Sequence, residues 1–364
     1  MTNGSAGILP RQAIDAMAQT GAIASGEAFD ADQIQPASLD LRLGRVAHRI
    51  RASFLPGPDV SVADKLEDVT LHTIDLTRGA VLETGCVYVV PLMEALDLPA
   101  DVAASTNPKS STGRLDIFTR VIADRAGAFD RVPAGYRGPL YAEISPRTFP
   151  ALVRTGSRLS QIRFRRGAAT LSDAELTALH RAEPLVSPGN AVIDAGLHLS
   201  IDLETSDPSG VIGYRGKRHT GVIDVDRKDG YDVADFWEPV TVRPGRGLIL
   251  DPNEFYILVS REAVQVPPSC AAEMVPFDPL VGEFRVHYAG FFDPGFGHGA
   301  AGAGARAVLE VRSHEVPFIL DHGQVVGRLV YERMAEAPDT LYGSGLRSNY
   351  QAQRLKLSKH FRAA

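Results

Sequence analysis

Gly79-Ala-Val-Leu-Glu-Thr-Gly-Cys-Val-Tyr88-Val-Val-Pro, continuing through Glu94-Ala-Leu-Asp-Leu-Pro99, returns 168 positions later as Gly247-Leu-Ile-Leu, Phe255-Tyr256-Ile-Leu-Val and Glu262-Ala-Val-Gln-Val-Pro267. Tyr88 answers Tyr256, Glu94 answers Glu262 and Pro99 answers Pro267 at one constant offset. Outside this stretch, Ser38-Leu-Asp-Leu answers Ser200-Ile-Asp-Leu, and Leu140-Tyr-Ala-Glu143-Ile answers Ala307-Val-Leu-Glu310-Val. Internal self-similarity governs architecture before local propensity does, so the chain reads as one folding unit written twice.

The 364 residues suffice for two domains, each with its own core. Residues 34 to 167 are short β-rich runs punctuated by Gly, Pro and Asp, without long helices between them. That pattern predicts a barrel or sandwich. The expected division is a first repeat over 1–167 with an N-terminal helix, a linker over 168–190, a second repeat over 191–334 and a tail over 335–364. Helices are few and short. Pro10 suits the first position of a helix that Gly21 ends. Ser172-Asp-Ala-Glu175 before Leu176 is a capping box that starts a linker helix, and Pro184 stops it. The glycine tract from Gly295 to Gly304 lacks the Lys-Ser/Thr of a phosphate loop and reads as a hairpin tip.

Charge and composition narrow the partners. The net charge of −6, with no basic stripe, argues against a polynucleotide. No apolar run is long enough to cross a membrane, and Met1 to Pro10 does not resemble a secretory signal. Two cysteines, Cys86 and Cys270, make no disulfide framework, so a cytoplasmic location is expected.

Two segments concentrate reactive side chains. Asn107-Pro-Lys-Ser-Ser-Thr-Gly-Arg114 gathers Lys109, Ser110, Ser111 and Arg114, donors suited to phosphate oxygens. A solvated turn is the bland reading of the same residues. Tyr288-Ala-Gly-Phe-Phe-Asp293-Pro-Gly-Phe296 is a turn between apolar strands, and Glu310 follows in an apolar β-run. An inward Glu310 is a candidate general base; strand alternation also permits an outward one.

Lys-Ser-Ser-x-x-Arg, Asp-Pro-Gly-Phe and the Leu-Glu strand, in this order, resemble the motifs of the dCTP deaminase family, a metal-independent branch of the dUTPase-like superfamily. Gln35-Pro-Ala-Ser-Leu-Asp-Leu-Arg-Leu-Gly44 resembles its early strand signature, and Ser348-Asn-Tyr-Gln-Ala-Gln353 its nucleotide-covering tail. The resemblance implies two tandem β-clip domains in a long, two-repeat form. It further implies hydrolysis of dCTP to dUTP and ammonia, Mg²⁺ bound with the triphosphate, possible dTTP recognition and a homo-oligomer.

Carried over, phosphate and sugar contacts fall on Lys109, Ser110, Ser111 and Arg114. Pyrimidine-side contacts fall on Ala289, Asp293, Val308 and Leu309, and tail contacts on Tyr342 and Gln353. The general base falls on Glu310 or Glu143, with Ser110 and Arg114 orienting water. The first repeat keeps Ser-Ser-x-x-Arg but has Pro133-Ala-Gly-Tyr136 where the second keeps Asp-Pro-Gly-Phe. In the family the serine-arginine segment and the glutamate segment come from different subunits, so a split between the repeats still builds one complete site, which favours Glu310 over Glu143. No zinc is expected, because His-x-Glu and Cys-x-x-Cys are both missing and His287, His298, His314 and His322 show no ligand spacing. A dUTP diphosphatase, suggested by Tyr136-Arg-Gly138, a bifunctional deaminase-diphosphatase and a non-catalytic nucleotide binder remain as alternatives.

Overall fold

The computed structural model describes residues 5–187, 191–205, 209–241, 245–276, 284–287, 290–298, 304–313, 315–344 and 354–362. The chain is mainly β and forms two compact units. The first comprises Met1–Ala169, His219–Gly230 and Met334–Asp339; the second comprises Thr170–Arg218, Tyr231–Arg333 and Thr340–Ala364.

In the first unit, one sheet runs in the order Thr70–Asp75, Val46–Ile50, Val87–Asp97, Arg137–Pro146, Ile117–Ala123. A second sheet centres on Arg158–Arg166, which pairs with Leu39–Arg42 and Val102–Pro108. The short strand Arg131–Val132 lies beyond Val102–Pro108. The second unit repeats this order. Trp237–Thr241, Val211–Gly216, Phe255–Val264, Ala305–Ser313 and Phe284–His287 form its first sheet. Val325–Arg333 centres its second sheet, between Leu197–Ser200 and Cys270–Pro276, with Phe291–Phe292 beyond the latter.

The sequence repeat has a physical counterpart in this topology. The N–H of Glu83 donates to the Tyr88 hydroxyl at 3.1 Å, and the N–H of Asp251 donates to Tyr256 at 3.1 Å. Each tyrosine thus fastens the turn that leads into its own strand, which accounts for the constant spacing.

Helices occur where capping permits them. Arg11–Gln19 begins after Pro10, which occupies the N-cap and not the first helical position. Gly21 follows at φ +82°, a conformation glycine adopts without a Cβ penalty. Asp173–Ala182 carries the expected capping box, with Ser172 and Glu175 bonded reciprocally, and its Leu176 enters the second unit's core. Val62–Val69 has a capping box of its own from Ser61 and Asp64. It buries Val62 and Leu66 against Ile50, Val89 and Ile122, burial worth roughly 1.5–3 kcal/mol per side chain.

The first unit also acquires a strand from distant sequence. Ile223–Asp224 pairs in parallel with Ala151 and Leu152. Arg154 fixes it, reaching Asp224 at 2.9 and 2.8 Å and Asp226 at 2.7 Å. The small sheet at the corresponding place in the second unit, Leu248–Leu250 with Phe318–Leu320, has two strands.

Candidate functional site

Ser110–Gly113 forms one helical turn directly after the strand Val102–Pro108, with Lys109 as its N-cap. Ser111, Thr112, Gly113 and Arg114 are buried, which excludes the solvated-turn reading. Arg114 closes the turn through its backbone N–H, donated to Ser110 at 3.1 Å. Lys109 extends its ammonium to Asp40 on the early strand Leu39–Arg42. Arg158 lies 3.6 Å from the same Asp40 oxygen. Asp40 therefore sets the position of Lys109.

The two candidate glutamates occupy matching register positions. Glu143 faces Val89 on one side and Arg120 on the other. Glu310 faces Ile257 on one side and His287 on the other. In each unit this residue lies opposite the position immediately after the repeated tyrosine. Both carboxylates are inside, Glu143 at 1% and Glu310 at 4% exposure, so the outward alternative for Glu310 is excluded. Alternation could not separate inward from outward because both strands are buried on both faces over most of their length.

The surroundings of the two differ. Arg120 donates from Nε and Nη2 to one Glu143 oxygen, at 3.1 and 2.5 Å. Its guanidinium lies 3.5 Å from the Phe129 ring centre and 4.8 Å from that of Phe118. The other oxygen, Oε2 of Glu143, is buried without a hydrogen-bond partner. The Glu310 strand is also buried at Val308 and Leu309.

Asp293 is buried in the turn that the sequence marked, with Phe292 and Phe296 in an edge contact at 4.9 Å. A Cβ at Gly297, φ +66°, would meet the Val264 carbonyl at 2.2 Å, so the turn requires glycine there. Tyr342 joins this turn: its N–H donates to Pro294 at 2.8 Å and its ring lies 5.7 Å from Phe296. Ala289 and Gln353 lie outside the described residues. Lys109, Ser110, Ser111, Arg114 and Glu143 belong to the first unit, and Asp293, Val308, Leu309, Glu310 and Tyr342 to the second.

Among the described residues, no three His, Cys, Asp or Glu side chains gather as metal ligands. Nor is any described helix long and apolar enough to cross a membrane. Tyr136 is occupied structurally: its hydroxyl accepts the Asp124 N–H at 2.8 Å and donates to the Pro139 carbonyl at 2.5 Å.

Sequence reasoning missed Arg120 and Asp130. Burial lifts the Asp130 carboxyl to about 6, against hydrogen bonds from the Val121 N–H and the Thr106 hydroxyl. Because its folded value lies above the ordinary 3.8, the stability linked to its protonation is lost as pH rises from about 4 through 6. Asp130→Asn keeps the acceptor oxygen and drops the charge. Its melting temperature is expected to match the parent below pH 4 and to exceed it increasingly up to about pH 7, read by thermal melts across that range.

Comparison with known proteins covers nearly all of the chain. Residues 5–168 match the family model described as the 2'-deoxycytidine 5'-triphosphate deaminase N-terminal domain, and residues 172–361 match that of its C-terminal domain. A crystal structure of 2'-deoxycytidine 5'-triphosphate deaminase from Agrobacterium tumefaciens is 66% identical in sequence, with a TM-score of 0.89. That match covers 92% of this chain and 100% of the other. Among curated relatives, a "dCTP deaminase, dUMP-forming" of Methanobrevibacter smithii is 32% identical over 135 residues. A "dCTP deaminase" of Halorubrum lacusprofundi is 33% identical over 134 residues. These two alignments span 36% of this chain and 66% and 63% of the relatives' lengths.

Proposed function

The chain belongs to the 2'-deoxycytidine 5'-triphosphate deaminase family, and on that premise we propose that it hydrolyses dCTP to dUTP and ammonia. The observation that carries this reading is the match of both family domains, in order, over residues 5–168 and 172–361. We further propose that each unit is a dUTPase-like β-clip domain and that the protein acts as a homo-oligomer. The repeated strand order supports the first of these.

Glu310 is the general base. It takes a proton from water as the oxygen bonds to C4 of the cytosine ring and passes it to N3, then carries the C4 hydroxyl proton to the amino group. The C4–N4 bond breaks, ammonia leaves and a C4 carbonyl beside N3–H remains. Burial of Glu310, at 4% exposure, supports the assignment, since a base shielded from bulk water keeps its proton for the reacting atoms. Lys109, Ser110, Ser111 and Arg114 are the phosphate- and sugar-binding set, with Ser110 and Arg114 also orienting the water. Asp293, Val308, Leu309 and Tyr342 face the base. Mg²⁺ travels with the triphosphate, held by its oxygens and by water.

The dUMP-forming relative favours one second reading, deamination followed by loss of pyrophosphate. Product analysis after incubation with dCTP and Mg²⁺ separates the cases. Ammonia with dUTP in equal amounts is the expected result. Ammonia with dUMP and pyrophosphate establishes the second reading, and dCTP recovered unchanged from active preparations overturns both.

A further inference from the structure

The duplication places a carboxylate at the same register position in both units, and only the first unit opposes it with an arginine. We infer that Glu143 is a fixed counter-ion to Arg120 and not a second proton carrier, leaving one working acid-base residue per chain. The inference rests on the deaminase reading with Glu310 as base.

Two observations carry it. Both guanidinium donors converge on one oxygen of Glu143, and an arginine does not release its proton in proteins. The guanidinium is itself immobilised, lying over Phe129 and Phe118 and donating to the Ser53 hydroxyl at 3.0 Å. A general base must shed its charge onto a proton, and a permanent cation held on the same carboxylate opposes that.

Two variants test this in the full-length enzyme. Glu143→Asp keeps the charge but shortens its reach by one methylene. A counter-ion tolerates that change, so kcat is expected within about threefold of the parent, whereas a proton carrier would be displaced from its target. Arg120→Gln alone strands a buried carboxylate and should lower the melting temperature by roughly 5–15 °C; Arg120→Gln/Glu143→Gln should recover most of that loss while keeping kcat. A fall in kcat of a hundredfold or more, at native melting temperature and unchanged KM, in Glu143→Asp or in the double variant, overturns the inference. Turnover retained by Glu310→Gln would instead sink the assignment of the base, so the two failures are distinguishable.

Discussion

Glu310→Gln should bind dCTP within a few-fold of the parent and release ammonia slower by on the order of 10²–10⁴-fold. The substitution preserves side-chain length and shape and keeps one acceptor oxygen, while the other becomes an amide donor. It removes the charge and the basicity, because a neutral amide does not take a proton from water. The residue lies at the centre of the strand Ala305–Ser313, between buried Leu309 and Val311, so an isosteric exchange leaves its packing intact. The loss should therefore appear in kcat, with substrate affinity and melting temperature nearly unchanged. Stopped assays for ammonia beside equilibrium nucleotide binding supply both numbers. Turnover near the parent level in Glu310→Gln, together with its loss in Glu143→Gln, would move the acid-base role to the first unit and remove Arg120 as a mere counter-ion partner.

The duplication was legible in the sequence because Tyr88 and Tyr256 each tie down a turn five residues upstream, and such a local constraint leaves a fixed spacing behind. The linker helix was legible because Ser172 and Glu175 cap reciprocally within one turn. The helix Val62–Val69 was not, since its box uses Asp64 in place of Glu or Gln and only Val62 and Leu66 mark its buried face. The interleaving of the units was also invisible. A two-residue strand such as Ile223–Asp224 carries no local signal of which sheet it joins, and its partners Arg154 and Ser157 lie about 70 positions away. The candidate site divides in the same way. Motif order singled out Ser110, Arg114, Asp293 and Glu310 as candidates, but the proposed distinction between Glu143 and Glu310 rests on flanking-strand register. Register is a long-range property, and strands buried on both faces lose the alternation from which it would be inferred.

The repeated pair Glu94 and Glu262 should show how unequal two matching residues have become. Glu94→Ala is expected to destabilise the first unit by about 3–5 kcal/mol, whereas Glu262→Ala should cost the second roughly 1–3 kcal/mol. Glu94 is fully buried and accepts from the Arg42 Nε, the Arg42 N–H and the Gln33 amide, each at 2.8 Å. Removing it leaves the buried Arg42 guanidinium the Ala28 carbonyl and the Ser25 hydroxyl, each at 2.8 Å, with Asp30 4.0 Å away. The loss of a contacting carboxylate from a buried charge costs more than the loss of a neutral hydrogen bond. Among the described residues, Glu262 accepts from uncharged donors, the Ser200 N–H at 2.8 Å and the Ser200 hydroxyl at 2.5 Å. Its loss leaves two neutral donors in a part-buried setting. Thermal melts should give Glu94→Ala the larger drop, on the order of 10 °C. A functional consequence follows for the same variant. Arg42 ends the strand Leu39–Arg42, which carries Asp40, and Asp40 positions Lys109 beside Ser110. Loosening that strand should raise KM for dCTP more than it lowers kcat, because it disturbs the proposed phosphate-binding set and leaves Glu310 in place. Equal drops in stability for the two alanine variants would show that Ala28, Ser25 and Asp30 suffice to hold Arg42 and that the charge at Glu94 contributes little.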